Sequence, residues 1–157
     1  IAAICGNLTC LKHVRLHGCP WALETCAYAA YYGHLNIIKW AKKNGCPWNK
    51  WTCENAAKAG RFDVLKWVRK HGCDWDETTC AAAALNGNMD MLKWVRARGC
   101  PWNERTCDAA ATRGFLDILS WVKLNGCPWD AHTCECAAQN GQLGVMEWMM
   151  VNGCPIY

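Results

Sequence analysis

One period organises this chain. Gly18, Gly45, Gly72, Gly99, Gly126 and Gly153 are each followed by Cys, and successive members lie 27 residues apart. The same step of 27 connects Trp21, Trp48, Trp75, Trp102 and Trp129, and then Thr25-Cys26, Thr52-Cys53, Thr79-Cys80, Thr106-Cys107 and Thr133-Cys134. Two further series, Gly33 to Gly141 and Trp40 to Trp148, keep that spacing. A unit this short cannot enclose a core of its own, so it must bury its apolar face against its neighbours in sequence. The chain therefore reads as one array, residues 1–157, of about six 27-residue units, cut from a longer polypeptide.

The stretch between Gly60 and Gly87 shows what each unit encodes. Phe62, Leu65 and Val68 fall three apart, with Val64 and Trp67 beside them, which is a broad helical face. Asp63 near the start and Arg69, Lys70 and His71 near the end match the helix dipole. Gly72 supplies a left-handed C-terminal stop. Asp76 can cap a second helix, Glu77 to Asn86, which Gly87 ends. Each unit is expected to hold one longer and one shorter helix joined by tight turns. Nothing alternates with period two, so strands are not expected.

These residues resemble the ankyrin repeat. Ala56-Ala57-Lys58-Ala59-Gly60-Arg61-Phe62 and Ala29-Ala30-Tyr31-Tyr32-Gly33-His34-Leu35 are similar to the family's Ala-Ala-x-x-Gly-His-Leu stretch. Val64-Leu65-Lys66-Trp67-Val68 and Gly72-Cys73-Asp74-Trp75-Asp76 are similar to its Val-Val-Lys-Leu-Leu and Gly-Ala-Asp-Val-Asn. The family unit has about 33 residues. The shortfall lies between the Trp-Asp segment and Thr-Cys, where the family carries a β-hairpin finger, and Thr-Cys stands in place of Thr-Pro-Leu-His. The chain resembles the short, Cys- and Trp-rich ankyrin variety of large DNA viruses and some protists. The resemblance implies an all-α, helical-hairpin solenoid without fingers, acting as a protein-interaction scaffold. Repetition of Trp48, Trp75, Trp102 and Trp129 implies that they are buried, filling the space the fingers vacate.

Chemistry finds few candidates. No phosphate loop, His-Glu-x-x-His or Gly-x-Ser-x-Gly occurs, Ser120 is the only serine, and a catalytic pair would be unique rather than repeated; no enzyme is expected. The 14 cysteines place two thiols seven apart in successive units, Cys73 and Cys80 for example. Buried thiols, one disulfide per unit and a metal set compete for them. Reduced, buried thiols in a cytoplasmic setting, host or viral, are the expectation, because Cys packs as a small hydrophobe. No Cys-x-x-Cys completes a zinc framework, so no metal or other cofactor is expected. Cys10, His13, His17 and Cys19 have ligand-like spacing, but His17 occupies the helix-end position of His71 and Cys19 belongs to the repeat. The sequon at Asn7-Leu8-Thr9 reads as chance. No apolar run approaches a membrane span.

Binding is the remaining class. Framework positions recur while others vary, and the variable slots of the shorter helix hold Tyr28, Tyr31, Tyr32, Asn55, Lys58, Leu85, Asn86, Arg113 and Gln139. In ankyrin-like stacks this helix lines the concave surface, so these residues form the expected partner-binding set for another protein. The longer helix carries a basic stripe, Lys39, Lys42, Lys43, Lys66, Arg69, Lys70, Lys93, Arg96 and Lys123. With a net charge of only +4 and no interleaved stacking aromatics, it reads as a solvated outer face rather than a nucleic-acid site. The alternative function is a structural protein stacking end to end or coating a particle, suggested by apolar Ile1-Ala2-Ala3-Ile4 and Met149-Met150-Val151.

Overall fold

A computed structural model describes residues 1–155. Among them are eleven helices and no strand: α1 (Leu8–Leu16), α2 (Thr25–Tyr32), α3 (Leu35–Lys43), α4 (Lys50–Lys58), α5 (Phe62–Lys70), α6 (Glu77–Asn86), α7 (Met89–Ala97), α8 (Glu104–Arg113), α9 (Leu116–Leu124), α10 (Ala131–Gln139) and α11 (Leu143–Val151). They fall into two compact units, Ile1–Trp75 and Asp76–Tyr157. Within each, a helix that starts at or near Thr-Cys pairs with the Trp-bearing helix after it: α2 with α3 and α4 with α5, then α6 with α7, α8 with α9 and α10 with α11. Thr-Cys helices stack in sequence, α2 on α4 in the first unit and α6 on α8 on α10 in the second.

The Thr-Cys and Trp helices do not divide into a shorter and a longer class: all have eight to ten residues. The expected longer helix, α5, has nine residues, and the expected shorter one, α6, has ten. The caps explain this. Arg61 takes the N-cap of α5 and His71 its C-cap, so both leave the helix that the hydrophobic pattern alone extends through them.

Capping follows the residue chemistry. The N-cap side chains of Asn49, Asp76 and Asn103 accept from the backbone N–H two residues on, and Asp130 closes a capping box with Thr133. At the other end, Asn44, Asn125 and Asn152 donate their side-chain amides to the Trp carbonyl four residues back. The His71 ring contacts the Trp67 carbonyl and the His17 ring the His13 carbonyl in the same way.

Burial divides the labour. The Trp helices bury aliphatic triplets: Ile37, Ile38 and Ala41 on α3, Val64, Leu65 and Val68 on α5, Met91, Leu92 and Val95 on α7, Ile118, Leu119 and Val122 on α9. Each large member contributes about 1.5–3 kcal/mol. The Thr-Cys helices bury small residues instead, Ala56-Ala57 and Ala83-Ala84 among them, which lets successive helices approach closely. Within each compact unit, a residue that opens a Trp helix ties its hairpin to the one before. Arg61 Nε donates to the Tyr31 carbonyl at 3.2 Å, and Gln142 Nε2 to the Thr112 carbonyl at 3.5 Å.

This arrangement sets two grades of glycine. Gly126 is left-handed (φ +83°) but has open space where a Cβ would lie. Gly87 is left-handed (φ +82°) and a Cβ there would sit 2.8 Å from the Phe115 ring. Gly126→Ala is expected to cost about 1–2 kcal/mol, from backbone strain alone. Gly87→Ala is expected to cost roughly a further 1–3 kcal/mol, because the ring must be displaced. Urea denaturation of the two variants side by side measures the difference.

Candidate functional site

The turn after each Trp helix is where the sequence departs from a plain hairpin. Its Trp residues, Trp48, Trp75, Trp102 and Trp129, are half-buried rather than buried as expected. The reason lies in what covers them. The last turn of each preceding helix lays a cation on the indole face: Arg15 on Trp21, Lys42 on Trp48, Arg69 on Trp75, Arg96 on Trp102 and Lys123 on Trp129, at 3.9–4.4 Å from the ring centroids. The Trp of the following Trp helix meets the turn Trp edge-on, Trp40 against Trp21 at 5.8 Å and Trp121 against Trp102 at 5.9 Å. The indole is thus packed by neighbours while one edge stays wet.

The basic stripe is largely accounted for by these contacts. Besides Lys42, Arg69, Arg96 and Lys123, Lys39 and Lys93 lie 5.9 Å from the rings of Trp67 and Trp121, and Lys66 lies 3.9 Å from that of Phe62. Arg69 and Arg96 also donate to the carbonyls of Cys73 and Cys100, at 2.9 and 2.6 Å, and Arg15 does so to Cys19. Lys39, Lys42, Lys43, Lys66, Lys70 and Lys93 are exposed, as a solvated face requires, and the ring contacts give the stripe a structural role in the turns as well.

The thiols pair differently from the sequence pattern. Cys26 and Cys46 stand 3.5 Å apart, Sγ to Sγ, and the partners are 20 residues apart in the chain rather than seven. That distance exceeds a disulfide bond of about 2.05 Å. Cys53 and Cys80 point their thiols at the carbonyls of Cys73 and Cys100, again 20 residues on. The turn thiols donate backwards: Cys73 to the Asn49 carbonyl, Cys100 to Asp76, Cys127 to Asn103 and Cys154 to Asp130, at 3.2–3.4 Å. Every repeat cysteine from Cys26 onward is buried, but Cys19 is exposed, contrary to expectation, as are Cys5 and Cys10.

The partner-binding set expected from the sequence divides between the two compact units. In the first, Tyr28, Tyr31, Tyr32 and Lys58 are exposed and Asn55 is half-buried. Tyr28, Tyr31 and Tyr32 expose 48, 38 and 44% of their surface on a helix whose Cys26, Ala27, Ala29 and Ala30 are buried. The Tyr31 and Tyr32 rings meet edge-on at 5.2 Å, and Tyr32 stacks on His34. Asn55 is engaged with the Trp51 carbonyl of its own helix. In the second unit Asn86, Arg113 and Gln139 are exposed and Leu85 is half-buried.

Cys10, His13, His17 and Cys19 do not assemble into a ligand set. The rings of His13 and His17 are 4.3 Å apart, but the His17 ring is held by the His13 carbonyl. One group of three potential ligand side chains does exist among the described residues: Asp108, His132 and Cys136. Burial pushes the Asp108 carboxyl up, offset in part by a hydrogen bond from Thr133. The sequence reading missed this group. The available signal was His132 and Cys136 four apart on one helix, at slots held by other residue types in the preceding units.

No family model matches the chain, and no curated protein matches it. Among solved structures, the crystal structure of the human ASB11 ankyrin repeat domain is similar, with a TM-score of 0.70 and 16% sequence identity. The similarity covers 98% of this chain and 82% of that one. The fold is therefore all-α and ankyrin-like. No helix among the described residues is long and apolar enough to cross a membrane.

Two outcomes follow. Arg96→Ala removes both the cation over Trp102 and the donor to the Cys100 carbonyl, and is expected to destabilise by about 1–2 kcal/mol. Arg96→Lys keeps the charge but not the planar fork, and should fall between; thermal melts rank the three proteins. The second outcome concerns pH. Burial, then the hydrogen bond with Cys134, pushes the Cys154 thiol from 9.0 up to about 12. A raised thiol favours the protonated folded state, so its contribution is intact below pH 9 and is lost as pH rises towards 12. Melting temperatures should decline across that window, and Cys154→Ala should flatten the decline.

Proposed function

We propose that the chain is a protein-binding module and that Tyr28, Tyr31 and Tyr32 form the anchor of its binding surface in the first compact unit. The single observation that carries this reading is that three half-exposed tyrosines share one short helix whose cysteine and three alanines are buried. Exposed tyrosine clusters are uncommon on surfaces that meet only water, and tyrosine is enriched among residues that dominate interface energetics. Lys58 extends the surface on the neighbouring Thr-Cys helix. Asn86, Arg113 and Gln139 occupy the corresponding face of the second unit, with Leu85 half-buried beside them. A stacked-helix scaffold presents such groups with little ordering cost on binding. The same reading makes the chain a scaffold rather than an enzyme, related to the short Cys- and Trp-rich ankyrin variety of large DNA viruses, with reduced thiols in a cytoplasmic setting.

A nucleic-acid role is disfavoured by the engagement of the basic stripe with indole rings. A second reading, self-assembly, draws on Leu143, Met150 and Val151, which stand exposed on α11 at 69, 51 and 86%. Sedimentation of the chain over a range of concentrations separates the two readings, since self-assembly requires association that grows with concentration.

The test of the tyrosine surface is affinity capture of a binding protein followed by titration with variants. Tyr31→Ala and Tyr32→Ala are each expected to weaken the complex by about 1–2 kcal/mol while leaving the melting temperature nearly unchanged. Charge reversal at Lys43 and Lys70 is expected to do far less. A complex governed by those lysines and falling steeply with salt would assign the chain a polyanionic partner instead.

A further inference from the structure

Asp108, His132 and Cys136 have no role in the framework. The His132 slot holds Glu24, Trp51, Thr78 and Arg105 in the preceding units; the Cys136 slot holds Tyr28, Asn55, Ala82 and Ala109; the Asp108 slot holds Ala27, Glu54 and Ala81. Three donor types have nevertheless converged between α8 and α10. One ligand atom from each residue lies within 4.8 Å of the other two. The geometry points to a divalent transition-metal site of the zinc class, with Asp108, His132 and Cys136 as its three protein ligands.

The spacing fits the chemistry. Zn–S near 2.3 Å and Zn–N near 2.0 Å at a tetrahedral angle require a sulfur-to-nitrogen edge of about 3.5 Å. His132 Nε2 lies 3.6 Å from Cys136 Sγ, one helical turn away on the same helix. A mixed sulfur, nitrogen and oxygen set suits a borderline ion such as Zn²⁺ rather than Mg²⁺ or Ca²⁺, which take oxygen donors.

The supporting residues are those a metal site needs. The second nitrogen of His132, Nδ1, faces Glu135 Oε2 at 3.5 Å, a carboxylate placed to hold the ring and its tautomer. Thr133 Oγ1 donates to Asp108 Oδ1 at 2.6 Å, which orients the carboxylate and leaves its other oxygen available. The equivalent hydroxyls of Thr79 and Thr106 have no hydrogen-bond partner, so this contact is particular to the last Thr-Cys helix. Binding would replace the Cys136 thiol proton, released to solvent. His132 is exposed, so a fourth position remains open to water.

Co²⁺ titrated alone into the reduced, chelator-treated full chain tests the site. One equivalent should give the visible bands of tetrahedral cobalt and a near-ultraviolet thiolate-to-cobalt band, both abolished by an equivalent of Zn²⁺. Cys136→Ser should remove the thiolate band. His132→Ala and Asp108→Asn should weaken binding at least about tenfold, one ligand lost from a three-ligand site. The double variant Cys10→Ser, His13→Ala should behave as the parent. Circular dichroism confirms that each variant folds. If Asp108→Asn does not fold, Zn²⁺ protection of Cys136 from alkylation in the unmodified chain decides the matter. No tetrahedral cobalt spectrum, a thiolate band that survives Cys136→Ser, or Cys136 alkylated equally with and without Zn²⁺ would overturn the assignment. These outcomes are independent of whether the tyrosine surface binds a protein.

Discussion

No helix among the described residues exceeds ten residues, and helices of that length do not persist alone in water. Every other feature answers to that constraint. The aliphatic triplets of the Trp helices have meaning only when a partner covers them. The small buried faces of the Thr-Cys helices exist so that the next helix can lie close. Even the backbone ends are shared, since the residue opening one Trp helix caps a carbonyl of the hairpin before it, as Arg61 does for Tyr31. Stability is therefore a property of neighbours rather than of units.

The absence of a β-finger moves a second burden onto the turn. Four residues, Gly-Cys-x-Trp, reverse the chain, and their side chains fill the space. The Cys thiol reaches back 24 residues to an N-cap carbonyl, and the Trp is held between a cation and the edge of another indole. This division explains why the basic residues repeat with the tryptophans. A cation that only solvated the surface would drift; one that covers a ring and ties a carbonyl, as Arg96 does, keeps its register.

Local patterns were legible in the sequence, and contacts between stretches some 20 residues or more apart were not. Gly72, Asp76 and the Val64, Leu65 and Val68 face announce their roles within a dozen residues, because caps and amphipathic faces are short-range chemistry. Cys73 and Cys80 are neighbours in sequence, yet the stacking brings Cys80 towards Cys100. Repetition of the tryptophans predicts burial, yet they are half-buried, because a cation from the preceding helix covers one face of the indole and one edge stays wet. The tyrosines of α2 stood out against the repeat and are exposed. Asp108 and His132 come from successive hairpins, so their proximity follows only from α8 lying against α10.

The backward thiol contact has a bearing on how such a chain changes length. In the second compact unit Cys100, Cys127 and Cys154 make the same bond to Asp76, Asn103 and Asp130. Each hairpin thus carries both halves of the joint: an acceptor at its front and a donor at its back. Excising or duplicating one period joins a donor to an acceptor of the same kind, wherever the cut falls. Recombination between copies in register then preserves this contact as the array lengthens or shortens, while residues particular to one copy, such as His132 and Cys136, travel with the hairpin that bears them.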